Sequence, residues 1–371
     1  MSWNATKTQR RITTWLLVAA LLLVSAAACV PVPPGGGASP TAGGGTSGQA
    51  AAKTGHVFVI NLENKGYNEV WGADSEATYL SQTLRSQGVL LSQYYGIAHN
   101  SNPNYLAQIS GQASNAMTRG DCPTYAAFRQ TGTAALGQVE GTGCVYPESV
   151  PTVAGQLSAA GKTWKAYMED MGTPCRHPEL GAKDSSQGAK VGDEYATRHN
   201  PFVYFQSVTS SPDCQANVVD YAKLADDLRS VATTPNLSYI SPNLCNDGHD
   251  NPCVDGSPGG LTAADGWLSR QIPAILDSPA FRQDGMLVIT FDEAEGKTVG
   301  PSDLLPGGTA GGRIGALVLS PFIRGGTTSD RTYNHFSLLA SVEDAFSLPR
   351  LGYAGAPGLN SFGTDVFNGR P

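Results

Sequence analysis

Positive charge is in short supply in this sequence. Its 371 residues hold 24 Lys and Arg against 31 Asp and Glu, a net charge of −7. Three of the basic residues, Lys7, Arg10 and Arg11, precede a short apolar stretch at the amino terminus. Without them, 21 basic residues face 31 acidic ones and the net charge is −10. That balance excludes nucleic acid and an anionic membrane as broad electrostatic partners. An anionic substrate must then be held locally, by a metal ion or a few donors. The chain also lacks a fixed-period repeat and a second linker, so residues 55–371 form one large domain or two closely merged ones. The cysteines lack the spacing of a zinc-binding cysteine site. A long membrane-spanning run is missing too. Trp15 to Val24 is apolar, but it is too short for a comfortable span and gives way quickly to Pro and Gly.

What is present at the amino terminus reads as targeting sequence. The basic residues, the apolar stretch and the small residues Ser25 to Ala28 form the parts of an export signal over residues 1–28. The small-residue run ends in Cys29 and resembles the bacterial lipobox, with Ala26 where Leu is usual. A lipid anchor at Cys29 is therefore the expected membrane connection, and plain secretion is the alternative. Residues 29–54, rich in Pro, Gly, Ser and Ala, read as a tether that spans roughly 25–30 Å on average. Either way the folded part is exported, at the outer face of the cell membrane or beyond. Of the seven cysteines, six remain once Cys29 carries lipid. An even number in an exported chain predicts three disulfides, and proximity suggests Cys122–Cys144, Cys175–Cys214 and Cys245–Cys253.

Hydrophobic residues make up 40% of the chain, enough for a full core. Strand-like runs (56–62, 89–95, 163–168, 237–240, 286–291, 314–320) alternate with helical pattern (75–87, 153–160, 218–231, 262–276, 334–347). The predicted class is α/β, with a mostly parallel central sheet sandwiched by helices. Two cysteine-bearing loop regions, 111–150 and 171–217, interrupt this framework.

The run Met286 to Phe291 ends directly in Asp292-Glu293. A buried parallel strand reads as such a run, and open α/β sheets bind ligands at the carboxyl ends of their strands. Two adjacent acids there repel, and a metal ion between them resolves the conflict. Other strand ends carry polar clusters as well: Glu63-Asn64, Glu169-Asp170 and Ser241 to Asp250. Ser101, ahead of Pro103, reads as a capping hydroxyl at a helix start, where amides and dipole favour an anion. A serine beside a metal is an activated nucleophile. Taken singly, these signals have plain structural readings. Ser101 is an N-cap, Glu63-Asn64 a turn, His249 a surface ion pair and His335 a helix-start residue. His56, Arg176, His177 and His199 show no partner and read as structural. Together, the clusters describe one composite site at one sheet edge.

Several ordered motifs also resemble a known family: Glu63-Asn-Lys-Gly-Tyr67, His99-Asn-Ser-Asn-Pro-Asn-Tyr105, Ser241-Pro-Asn-Leu-Cys-Asn-Asp-Gly-His-Asp250, Thr290-Phe-Asp-Glu293 and Tyr333-Asn-His-Phe-Ser-Leu-Leu339. They look like the bacterial phosphoesterase family of acid phosphatases and phospholipases C, related to the alkaline phosphatase superfamily. The likeness runs from about residue 55 to 355. It implies an alkaline phosphatase-like fold, with Glu63, Asn64, Asp292 and Glu293 as metal ligands and Ser101 as the residue that is phosphorylated. His249 and His335 would contact the phosphate or protonate the leaving group, assisted by Asp247 and Asp250, with His99 a weaker member of that shell. Gly66 stands where Ser is common, and the long carboxyl-terminal extension of the larger phospholipases C is missing. The compact length is similar to that of the short secreted acid phosphatases, some of which act on phosphoinositides.

The expected function is hydrolysis of phosphate monoesters, with a small phosphate ester or phosphoinositide as substrate. A phospholipase C-type diesterase and a non-catalytic ligand-binding lipoprotein are the alternatives. Oxygen-dominated ligation favours Mg²⁺, Ca²⁺ or Mn²⁺, and the nearby histidines keep Zn²⁺ open.

Overall fold

The computed structural model describes residues 54–295 and 311–369. The segments read as export signal, lipidated Cys29 and nearly all of the tether lie outside these residues. Among the described residues no helix is long and apolar enough to cross a membrane.

Ten strands are present among the described residues: β1 (His56–Leu62), β2 (Val89–Tyr95), β3 (Arg129–Thr133), β4 (Val139–Thr142), β5 (Trp164–Met168), β6 (Val218–Asp220), β7 (Leu237–Ser241), β8 (Gly285–Phe291), β9 (Ala316–Leu319) and β10 (Thr327–Asn334). Eight of them form one sheet in the order β10-β2-β9-β8-β1-β7-β5-β6, and β3 and β4 pair separately within the first insertion. Every residue of β1 and β8 is buried. Strands with no polar face can only sit mid-sheet with both faces covered. They pair in parallel from His56–Gly285 to Leu62–Phe291, so their carboxyl ends emerge side by side. β7 flanks β1 in parallel, and β5 follows. Only β9 runs against its neighbours, β2 and β8. The sheet is thus mostly parallel, as the strand–helix alternation predicts.

Four helices matter to the site or its support: α1 (Ser101–Ser110), α2 (Val153–Ala159), α3 (Gly260–Asp277) and α4 (His335–Ala345). All ten residues of α1 are buried, so this helix lies within the protein beneath the sheet edge. α4 opens with a capping box, in which Asn334 accepts from Ser337 N–H and Ser337 accepts from Asn334 N–H. α3 continues past Pro273.

The three expected cysteine pairs are all bonded, with Cα–Cα separations of 5.9, 5.2 and 5.1 Å. The helices expected over 218–231 and 75–87 are different in the structure. Val218 and Val219 are buried beside β5 as the short strand β6. Asp220 then accepts from Ala222 N–H at 2.9 Å and starts a helical stretch no longer than Tyr221 to Asp227. In the other segment, only Tyr79–Leu84 is helical, as a π-type turn. Asp265 of α3 accepts from the amides of Tyr79 and Leu80 at 3.0 and 2.8 Å. A distant carboxylate there replaces a local cap. β10 has no counterpart in the sequence reading. Its residues are mostly polar, and it is an edge strand paired only to β2.

Candidate active site

Glu63 leaves β1 and Asp292 leaves β8, so parallel pairing delivers both carboxylates to one place. Glu63 N–H donates to the Asp247 carbonyl at 2.9 Å, which draws the loop after β7 to the same edge. Asn64 turns with φ of 55°, and its N–H donates to Asp292 Oδ1 at 2.9 Å. Gly96 lets the neighbouring loop approach, because a Cβ there would stand 2.7 Å from the Asp292 carbonyl oxygen.

Ser101 is the first residue of α1, and the capping position belongs to Asn100, at φ of 77°. The Ser101 hydroxyl does not cap the helix. It donates to Glu63 Oε2 at 2.8 Å, and the Tyr105 hydroxyl donates to Glu63 Oε1. Two amides expected to receive an anion already have carboxylate partners. Asn102 N–H donates to Asp121 Oδ1 at 2.9 Å and Asn100 N–H to Glu293 Oε1 at 2.8 Å.

Asp247 accepts from His249 N–H at 2.8 Å, and its other oxygen lies 3.1 Å from His199 Nδ1. His199 Nε2 lies 3.4 Å from Glu63 Oε1. Arg198 donates to His249 Nε2 at 3.2 Å, and His249 Nδ1 sits 2.7 Å from Asp250 Oδ1. An imidazole that accepts at Nε2 and faces a carboxylate at Nδ1 carries its one proton on Nδ1. Burial, and then the Arg198 charge, lower the pKa of His249, while Asp250 opposes the shift.

Glu63, Asp247 and Asp292 are each at most 1% exposed. Burial pushes all three carboxyl groups up from their ordinary range, the charge of Asp292 adds to the shift of Glu63 and Asp247, and that of Asp121 adds to the shift of Asp292. Arg198 is the cationic group that offsets this for Glu63 and Asp247. Among the described residues, one guanidinium against three buried carboxylates leaves the site short of positive charge. Among the described residues, Asp292 Oδ2 is buried and has no hydrogen-bond partner. A buried carboxylate oxygen without a donor is costly unless a cation takes that place. The residues therefore fit a divalent cation.

The expected residues thus fall into three places. Glu63, Asn64, Asp292, Ser101 and Asp247 converge, and His249 with Asp250 forms the neighbouring wall. Glu293 turns the other way, with Oε2 2.5 Å from His99 Nδ1 and Oε1 on Asn100 N–H. Both of its oxygens are engaged with the loop before Ser101. His335 lies behind the site, fully buried. Its Nε2 contacts the Asp292 carbonyl at 2.6 Å, and its Nδ1 faces Tyr94 Oη and Gln108 Nε2 at 3.2 and 3.1 Å. With both nitrogens occupied, the ring has none left for a phosphate, and burial holds its pKa down at about 4. It supports the Asp292 backbone instead. Glu169, at the end of β5, accepts from Asn243 N–H at 3.0 Å and Trp267 Nε1 at 3.1 Å, so it braces the loop that carries Asp247.

The sequence reading leaves out Arg198 and Tyr105 and gives His199 a structural role without a partner, whereas the structure sets His199 between Asp247 and Glu63. Tyr105 closes a quoted motif, and its position one helical turn after Ser101 is the signal that places both hydroxyls on one face. His199 and Arg198 come from the second cysteine-bearing insertion, where no strand or periodic pattern marks them.

The model of the Phosphoesterase family matches residues 73–349. The chain belongs to the Phosphoesterase family. Among curated relatives, this family member is 29% identical to the phosphate-repressible acid phosphatase of Penicillium chrysogenum, over 72% of this chain and 54% of that one. It is 29% identical to an acid phosphatase of Aspergillus fumigatus, over 80% and 55%. The phosphatidylinositol-3-phosphatase of Mycobacterium tuberculosis is 25% identical, over 81% and 79%. The chain spans somewhat more than half the length of the fungal relatives. A solved structure from Vibrio parahaemolyticus, a protein in the alkaline phosphatase superfamily, aligns over 80% of this chain and 67% of that one, at 11% identity and a TM-score of 0.46. That superposition is too loose to carry a functional argument. The phosphoesterase match starts after β1, so Glu63 and Asn64 enter the site on the geometry alone.

Proposed function

We propose that this phosphoesterase-family chain is an exported, metal-dependent phosphatase that hydrolyses phosphate monoesters through a phosphoserine at Ser101. The observation that carries the reading is the Ser101 hydroxyl on Glu63 Oε2, at the centre of three buried carboxylates. The names of the relatives, acid phosphatases and a phosphoinositide phosphatase, point to the same reaction and include phosphoinositides in the substrate class.

Glu63, Asp292 and the Asn64 side chain would hold a divalent cation, and their oxygens favour Mg²⁺, Ca²⁺ or Mn²⁺. Bound there, the cation supplies Lewis-acid stabilisation of phosphoryl oxygens. The chain's own groups do the rest. Ser101 Oγ forms the bond to phosphorus as the ester P–O bond breaks, and Glu63 Oε2 is placed to accept the serine proton. To protonate the leaving alkoxide, His249 must carry a proton on Nε2, which requires Arg198 to turn away from that nitrogen while Asp250 holds Nδ1–H. Water then attacks phosphorus and gives a proton back to His249, the phosphoserine P–O bond breaks to release inorganic phosphate, and Glu63 returns its proton to Ser101 Oγ. The lowered pKa of His249 means that its acid form is populated only at acidic pH, in keeping with an acid phosphatase.

Product analysis tests the reading. The purified protein should release inorganic phosphate from a chromogenic monoester and from phosphatidylinositol 3-phosphate. Diacylglycerol as the main product from a lecithin would instead favour the diesterase. We also read residues 1–28 as the export signal and Cys29 as the lipid attachment point. Cys29→Ser should then move the protein from the membrane fraction to the medium, and a variant that stays with the membrane would contradict the anchor.

A further inference from the structure

We propose that Asp121 is a built-in rival of the phosphate: its carboxylate occupies the anion position at the start of α1 and must swing out before a phosphoryl group seats there. This rests on the reading above, in which phosphate is held over Ser101. It draws in a residue of the first insertion to which that reading gives no task.

The Asp121 carboxylate is placed as a ligand would be. Oδ1 accepts from Asn102 N–H at 2.9 Å and Oδ2 from Asn100 Nδ2 at 3.0 Å. One donor comes from the residue before Ser101 and the other from the residue after it, so the two oxygens straddle the nucleophile. A helix start offers such donors to an anion. An ordinary cap is different, because the residue that opens the helix reaches two or three positions onward with its own side chain. Here Asp121 comes from nineteen residues beyond Asn102. The capping residue, Asn100, turns its side-chain amide to Asp121 instead of to the helix.

The backbone beneath the carboxylate is fixed. Asp121 and Cys122 are both left-handed, at φ of 57° and 51°, a conformation that residues with a side chain adopt only under constraint. Cys122 is fully buried and bonded to Cys144. The Asp121 carbonyl accepts from Gln187 Nε2 at 3.1 Å. The turn thus cannot retreat as a whole. The half-buried Asp121 side chain leaves the helix start by rotating about its own bonds.

Charge makes the two occupants exclusive. Burial is the main cause of the pKa shifts at Asp292, Glu293 and His249, and the Asp121 charge pushes all three upward. Its field therefore reaches both walls of the site. A phosphate dianion meets this like charge on a donor that it needs. The effect is felt most by the product: when inorganic phosphate loosens, Asp121 returns to Asn102 N–H and opposes rebinding. Asp121 in this way sets the affinity of the site for phosphate and speeds its release.

Phosphate binding tests this apart from turnover. Inorganic phosphate is titrated by calorimetry into the full-length, Mn²⁺-loaded wild type and Asp121→Asn. The amide keeps the shape and an acceptor for Asn102 N–H but removes the charge. Asp121→Asn should bind phosphate about tenfold more tightly and be inhibited by it at about tenfold lower concentration. KM for a monoester should fall as well, with no rise in kcat. A carboxylate that only braced the helix would give the opposite sign, since its loss would loosen the loop at Ser101 and weaken binding. Unchanged or weaker phosphate binding by Asp121→Asn would overturn the proposal. If that variant does not fold, a crystal structure of the wild type with bound phosphate decides. Asp121 should then have left Asn102 N–H, and a carboxylate still seated there beside phosphate would overturn it. Failure of the phosphatase reading shows up separately, as absence of phosphate release from a monoester by the loaded wild type.

Discussion

Replacing Ser101 by alanine is expected to lower kcat/KM for a chromogenic phosphate monoester by on the order of 10⁴-fold or more, the scale seen when a nucleophile is removed. The fold should tolerate the change. Ser101 is not the helix cap, so no capping energy is lost. The hydroxyl gives up one hydrogen bond to Glu63, a cost of about 1 kcal/mol, and Glu63 keeps the Tyr105 hydroxyl. Metal content should be unchanged, because the carboxylates remain. Steady-state kinetics with metal analysis on the same sample would check all three points. A loss of less than about tenfold would place the nucleophile elsewhere.

Chelation at pH 8 is expected to lower the thermal midpoint by about 6 °C, and to lower it much less at pH 5. The direction follows from Glu63, Asp247 and Asp292, whose pKa values the metal-free fold raises by burial. A carboxyl group raised in the folded state costs nothing below its unfolded pKa of about 4. Its contribution is lost as pH rises through the higher folded value, so the metal-free fold weakens toward neutral pH. A bound cation needs the ionised carboxylates and reverses that trend, while protons compete with it in acid. At a free cation concentration a thousandfold above its dissociation constant, the stabilisation is about 4 kcal/mol. In a protein of this size that corresponds to about 6 °C. Comparing chelated and loaded protein at each pH by calorimetry cancels every other titrating group. An unchanged midpoint at pH 8 would mean that the three carboxylates hold no cation.

Much of the site was legible because strands announce their own ends. Six apolar residues running into Asp292 fix a buried strand and place its first acid at the ligand-binding edge, and β1 does the same for Glu63. The two residues of the Asp292-Glu293 pair nevertheless part company. Successive side chains at a strand end point to opposite faces, so Asp292 faces Glu63 while Glu293 faces the loop at His99 and Asn100. His335 was placed correctly at a helix start, but the side it faces depends on packing. Gln108, Tyr94 and the Asp292 carbonyl claim its ring from behind the site. His199 reads as structural in the sequence because its insertion has neither period nor strand, and its partners, Asp247 and Tyr105, are far away in sequence. The helix expected over 218–231 failed for a similar reason. Val218 and Val219 satisfy either period, and only the free edge of β5 decides for a strand.

Rapid mixing with a phosphate monoester, followed by an acid quench and peptide mapping by mass spectrometry, asks whether phosphate passes through the enzyme. The proposed phosphoserine mechanism predicts a phosphorylated peptide containing Ser101, formed faster than steady-state turnover and absent from Ser101→Ala. Full turnover with phosphate trapped on another residue, or on none at all, would contradict it.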